Sequence, residues 1–179
     1  MYVKQRKTIT ADAYKSGVQA SNAFSSLSNA DAVGSGITDT STYYGKRPTW
    51  RQSEIDGAGY YPVSQGYEYN QSYKMVNGKL QEVSWGTSGS VRPDYYSKSL
   101  NKCVDIKNYT ITTASGRTSL ANNVSAQYNQ RVNVFPSQTT YEVRIDVRGQ
   151  VYDQAMLDDI RNKIQIGTGG NMSVKFINQ

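Results

Sequence analysis

None of the 179 residues is histidine. Catalysis built on a histidine base, cyclising ribonucleolysis included, is therefore excluded, because the one side chain that titrates near neutrality unaided is missing. The single cysteine, Cys103, rules out an internal disulfide and any cysteine-rich metal site. It lies in an alternating apolar stretch and reads as a packed thiol. No apolar run approaches the roughly eighteen residues that a membrane-spanning helix needs, so no stable membrane association is expected. The basic start, Met1 to Lys7, is not followed by an apolar stretch and does not read as a secretory signal.

What is present is mildly basic and rich in tyrosine. Twenty Lys and Arg against fourteen Asp and Glu give a net charge of +6. That is mild support for a polyanionic partner. Fifteen tyrosines stand against three Phe and two Trp. Tyrosine suits base stacking, and it equally suits a small wet core or a protein interface.

Residues 1–45 are rich in Ser, Ala, Asn and Thr and read as an N-terminal extension or linker, with a helix over Ile9–Leu27 as one reading. Residues 46–179 read as the folded domain. Pro48 and Gly57 bracket a helix over Thr49–Asp56, followed by a Gly- and Tyr-rich loop to Gln71. Strands are expected at Tyr73–Val76 and Lys79–Val83, joined by the tight-turn dipeptide Asn77-Gly78. Further strands at Ser90–Tyr96 and Lys102–Thr112 complete an antiparallel meander. The four-residue spacing of Leu120, Val124, Tyr128 and Val132 predicts a helix over Thr118–Val134, stopped by Pro136. Thr140–Arg148 alternates as a strand, Asp153 caps a helix to Ile164, and Met172–Ile177 forms a last strand. The order implies an α/β or α+β fold: a mixed central sheet flanked by helices.

The chemistry concentrates at Pro93-Asp94 and Asp105-Ile106-Lys107. On a strand Asp105 and Lys107 share one side, while Val104 and Ile106 turn to the core. Alone, that pattern is an ordinary solvated face. A turn centred near Leu100, however, sets Asp94 opposite Asp105. Two facing carboxylates repel by about 1 kcal/mol or more once partly desolvated, unless a cation lies between them. That cost argues for a divalent metal, with Glu54 on the preceding helix as a third oxygen.

These residues resemble the PD-(D/E)XK nuclease family, the restriction-endonuclease-like fold, over roughly residues 45–148. Pro93-Asp94 matches the family's P-D, Asp105-Ile106-Lys107 its (D/E)-x-K, and Glu54 its helical glutamate. The resemblance implies that Asp94, Asp105, the Ile106 carbonyl and Glu54 bind metal. It also implies that Lys107 orients the attacking water or stabilises developing charge, and that a phosphodiester is hydrolysed in line. Oxygen ligation favours Mg²⁺ or Mn²⁺, with Zn²⁺ as an alternative. The longer string from Trp50 to Glu54, through Ser90 to Tyr96, to Ile145–Gln150 is similar to C-terminal nuclease domains of bacterial polymorphic toxins, including contact-dependent growth inhibition effectors. This implies a domain of a larger secreted or cell-surface effector, acting in the target-cell cytoplasm and neutralised by a cognate immunity protein. The chain lacks the Val-Glu-Asn-Asn boundary motif of one branch, which leaves the delivery system unassigned.

Gln127 and Arg131, one helical turn apart and read as lying opposite the apolar stripe, are secondary substrate-binding candidates that otherwise read as a solvated face. Arg92, with Lys98, Lys102 and Arg117, reads as a basic rim for a phosphate backbone. One of Tyr95 and Tyr96 is expected toward the site and the other in the core. Asp146 reads as an exposed edge residue. DNA is the first substrate, and tRNA is the alternative. From a different class, a non-catalytic adhesin or phage-structural module would make Asp94, Asp105 and Lys107 incidental.

Overall fold

The computed structural model describes residues 45–178. The helix expected over Ile9–Leu27 lies outside them. Helix α1 (Trp50–Gly57) opens on Thr49, whose side chain accepts from the Gln52 N–H at 3.2 Å. Such a cap satisfies one of the otherwise unpaired first-turn donors; Pro48 stands before the cap rather than in the first turn. The stretch expected to be loop contains a 3₁₀ turn at Val63–Gln65 and strand β1 (Tyr67–Tyr69). Three residues among glycines and serines are too few to show a period of two.

Strands β2 (Ser72–Val76) and β3 (Lys79–Val83) form the expected hairpin. Asn77 and Gly78 both have positive φ, 50° and 75°, as a type I′ turn requires. The hairpin is a separate two-stranded sheet that meets the following segment at a Tyr73–Val91 bridge, so the expected continuous meander is not formed. The main sheet follows with β4 (Tyr95–Ser97) and β5 (Lys102–Lys107), both shorter than the spans expected for them. Helix α2 (Ala114–Arg131), β6 (Thr140–Asp146), helix α3 (Gln154–Gly167) and β7 (Met172–Ile177) complete the chain. Thr113 caps α2 four residues earlier than the apolar stripe announces, and Val132 falls just past its end and is half-exposed. The Asp153 cap of α3 is as expected, accepting from Met156 N–H at 2.8 Å.

The five strands run in the order β1-β4-β5-β6-β7, antiparallel up to β5 and parallel beyond it. This is the expected α+β architecture with a mixed central sheet, and β5 is its middle strand. One face packs on α2 and α3 around Leu120, Val124, Val143, Ile145, Ile160 and Ile164. Cys103 is sealed into that core. The other face carries a smaller aromatic core of Tyr61, Tyr67, Tyr95, Val104, Ile106 and Ile177. Helix α1 lies over this second face, where a Cβ on Gly57 would come within 3.0 Å of the Ile106 side chain and 3.1 Å of Tyr95.

The second face also holds a buried ionic network. Glu142 accepts from the Tyr61 hydroxyl, from Lys102 Nζ at 2.9 Å and from Arg144 Nη2 at 3.3 Å. Burial alone would push its carboxyl up, but the hydrogen bonds from Lys102 and Tyr61 and the charges of Lys102 and Arg144 hold it below the ordinary value. Asp146, expected at an exposed edge, is instead 1% exposed and bound to Arg148, which also reaches Asp56 at 2.7 Å. The reason is topological: β6 has a strand on each side.

Gly57→Val should lower stability by about 1–3 kcal/mol in a thermal melt, because the added methyls must displace Ile106 or Tyr95. An unchanged melting midpoint would show that α1 does not seat this closely. Glu142 contributes stability above the ordinary glutamate pKa and loses it as pH falls through its lower folded value. The melting gap between wild type and Glu142→Gln should therefore narrow from about pH 6 toward about pH 3. A gap constant with pH would mean that the ionised carboxylate is not what the network holds.

Candidate functional site

Pro93 explains why β4 begins where it does. Proline has no N–H to give to a ladder, so pairing stops beside it. Tyr95 pairs with Val104, the register that puts Asp94 opposite Asp105, as the turn near Leu100 implied. The Ile106 N–H, with no strand residue opposite it, is taken by Asp94 Oδ2 at 2.7 Å. On its other side, the Asp94 carbonyl accepts from Asn70 N–H at 2.9 Å. The carboxylate is thus fixed by the same local rule that ends the strand.

Across the parallel β5–β6 register, Asp105 pairs with Val143 and Lys107 with Ile145, so both point to the main core side. Val104 and Ile106 are buried as expected but in the smaller second core, so that Asp105 and Lys107 face the main core and not an open charged surface. Asp105 is 4% exposed, and a carboxylate buried this deeply requires compensation. Arg131, at the end of α2, supplies it: Nη2 donates to Oδ1 at 2.8 Å and Nη1 to Oδ2. Lys107 Nζ stands 3.5 Å from Oδ1. Burial pushes the Asp105 carboxyl up, but the charges of Arg131 and Lys107 outweigh it and hold the group below the usual aspartate range. Asp94 moves the other way: burial, then the neighbouring Asp105 charge, push it up to about 7. The two carboxyls are pushed in opposite directions because Arg131 and Lys107 compensate Asp105 while burial dominates at Asp94.

Glu54, on α1, accepts from the Tyr69 hydroxyl at 3.2 Å, and its charge acts on Asp94. The Tyr95 hydroxyl donates to the Glu54 carbonyl at 2.6 Å, tying helix to strand. Tyr96 enters the main core and Tyr95 the second, so both rings are buried, and it is the Tyr95 hydroxyl that reaches toward the site. Asp94, Asp105, Lys107 and Glu54 are therefore brought to one region of the sheet.

The structure revises several other expectations. Arg131 is buried and paired, not part of a solvated face. The signal available was its place one turn beyond Gln127, on the side of the apolar stripe. Lys102 belongs to the Glu142 network, Arg117 pairs with Asp159, and Lys98 pairs with Glu68 and Glu82. The basic rim thus reduces to Arg92, which is exposed with its guanidinium 5.8 Å from the Trp85 ring centroid. A cleft of about 520 Å³ opens elsewhere, lined by Tyr128, Pro136, Thr139, Tyr141 and Met172, and includes none of these candidates.

The donors suit a hard divalent cation, which takes carboxylate and carbonyl oxygens. Among the described residues, no group of three or more His, Cys, Asp or Glu is placed to hold a metal ion. A Mg²⁺ site needs only one or two carboxylates, since water and substrate phosphate complete it. Asp94 and Asp105 meet that requirement, although both oxygens of Asp105 are engaged by Arg131.

No protein-family model and no curated protein matches the chain. Among solved structures, the chain is similar to one described as a CdiA-CT/CdiI toxin and immunity complex from Yersinia pseudotuberculosis. The likeness has 14% sequence identity and a TM-score of 0.39, covering 71% of this chain and 98% of that chain. No helix among the described residues is long and apolar enough to cross a membrane.

In metal-free buffer containing EDTA, at a pH above the value of about 7 to which Asp94 is pushed, Asp94→Asn should raise the thermal midpoint by the equivalent of about 1 kcal/mol, because one of two facing carboxylates loses its charge, and the gain should fade as pH drops. A lowered midpoint would show that the Asp94–Ile106 contact needs the anion more than the pair needs relief.

Proposed function

We propose that residues 46–179 are a metal-dependent endonuclease toxin domain, carried at the end of a larger effector and neutralised by a cognate immunity protein. The observation that supports the catalytic half is the register setting Asp94 against Asp105, with the Lys107 ammonium 3.5 Å from Asp105 Oδ1. Neither structural stability nor solubility calls for two facing acids, one buried and one half-buried, because their repulsion is a cost. The net charge of +6 favours a polyanionic substrate. The toxin half rests on the sequence strings from Trp50 to Gln150. DNA is the first substrate and tRNA the alternative.

In this reading Asp94, Asp105 and the Ile106 carbonyl would hold a divalent cation, Mg²⁺ or Mn²⁺ before Zn²⁺, and Glu54, whose charge acts on Asp94, would add negative charge beside it. Such an ion, when bound, would supply Lewis acidity for phosphodiester hydrolysis. Lys107 orients the attacking water and offsets charge that grows on the phosphoryl group as the bond to the leaving oxygen breaks. Ile106 N–H keeps Asp94 from rotating away. Arg92 contacts the substrate backbone from the exposed side.

The test is incubation of the purified chain with plasmid DNA and with total RNA in Mg²⁺, Mn²⁺ or Zn²⁺, with EDTA as control. Asp94→Asn, Asp105→Asn and Lys107→Met should each lower cleavage by roughly 100-fold or more while the circular dichroism stays native. Glu54→Gln should lower it less. Intact nucleic acid in every metal, or full activity in folded Lys107→Met, would remove the nuclease reading and favour a non-catalytic module.

A further inference from the structure

Asp105 already has a cation. Its side chain and that of Arg131 are each 6% exposed, and the guanidinium fork grips both carboxylate oxygens. The same Arg131 Nη2 lies 3.4 Å from the Arg92 carbonyl, two residues before Asp94. The guanidinium therefore spans the two chain segments that carry the facing acids. A planar fork matches a carboxylate in two parallel bonds, which a point charge such as Lys107 cannot do.

Two features would allow the fork to let go. Arg131 is the last residue of α2, so its side chain can leave Asp105 without unwinding the helix. One turn earlier, Gln127 Oε1 is buried with no hydrogen-bond partner among the described residues. Residues four apart on a helix are neighbours, so that orphan acceptor lies within reach of a released guanidinium. A buried acceptor left unpaired costs about 1–3 kcal/mol, and a second position of Arg131 would recover part of that.

We infer that Arg131 is an internal counter-cation that competes with a divalent metal ion for Asp105. Without metal the fork holds Asp105 and keeps the acidic pair folded. Coordination of Asp105 requires the fork to leave. The inference rests on the proposed metal-dependent site, but not on which nucleic acid is cut or on whether any is cut.

Mn²⁺ is titrated into the whole chain without nucleic acid, and free ion is read by electron paramagnetic resonance. Arg131→Gln should bind Mn²⁺ about tenfold tighter than wild type, because the buried carboxylate has lost its competing partner. Arg131→Lys keeps the charge but loses the fork, so it should fall between them. Adding Asp105→Asn to either variant should erase the gain. Equal affinity in wild type, Arg131→Gln and Arg131→Lys overturns the inference, as does weaker Mn²⁺ binding by a folded Arg131→Gln. If Arg131→Gln is unfolded in EDTA, Mn²⁺ should restore its near-ultraviolet circular dichroism, and failure to restore it also overturns the inference. The nuclease reading fails separately, when wild type with Mn²⁺ leaves both DNA and RNA intact.

Discussion

A carboxylate on the middle strand of a five-stranded sheet, facing the main hydrophobic core, is the constraint around which this molecule is arranged. Asp105 cannot stay ionised there unaided, because an isolated buried charge costs far more than a domain's whole margin of stability. Its ionisation is secured by one residue from the end of α2 and one from its own strand. The crossover helix is therefore more than a cover for the apolar face, since its final residue completes the electrostatics of the strand beneath. The parallel connection from β5 through α2 to β6 brings that final residue back over the sheet.

The two faces of the sheet handle charge differently. On the second face, Glu142 and Asp146 are each matched by cations within the same layer, and Tyr61 adds its hydroxyl to Glu142. On the main face, Arg131 and Lys107 match Asp105, whereas Asp94, among the described residues, accepts from the Ile106 N–H and is pushed up to about 7 by burial and by Asp105. A matched network rigidifies, whereas an unmatched acid is available to a ligand.

Much of this was legible in the chain. The Asn77-Gly78 hairpin, the Asp153 cap, the alternation read over Thr140–Arg148, of which the strand keeps Thr140–Asp146, and the facing of Asp94 and Asp105 follow from local rules that the structure obeys. What escaped depended on partners distant in sequence. Strand β1 is too short to show a period, and its pairing with β4 is set by tertiary contact. Asp146 and Arg131 look like surface residues by type, and their burial follows from a flanking strand and from the Asp105 charge. Tyrosine was ambiguous for a related reason. Tyr61, Tyr73 and Tyr95 bury their rings and place their hydroxyls on Glu142, Glu68 and a backbone carbonyl, a use of polarity inside a core that composition cannot distinguish from stacking.

The sealed position of Cys103 has a practical consequence. Its thiol is buried on β5, and burial pushes its pKa far up, so native protein presents almost no thiolate to an alkylating dye. The chain has no other sulfhydryl. A cysteine introduced on the exposed surface could therefore carry a fluorophore or spin label without background from the natural residue. Distances across the molecule would then be measurable in solution without first deleting a residue from the core.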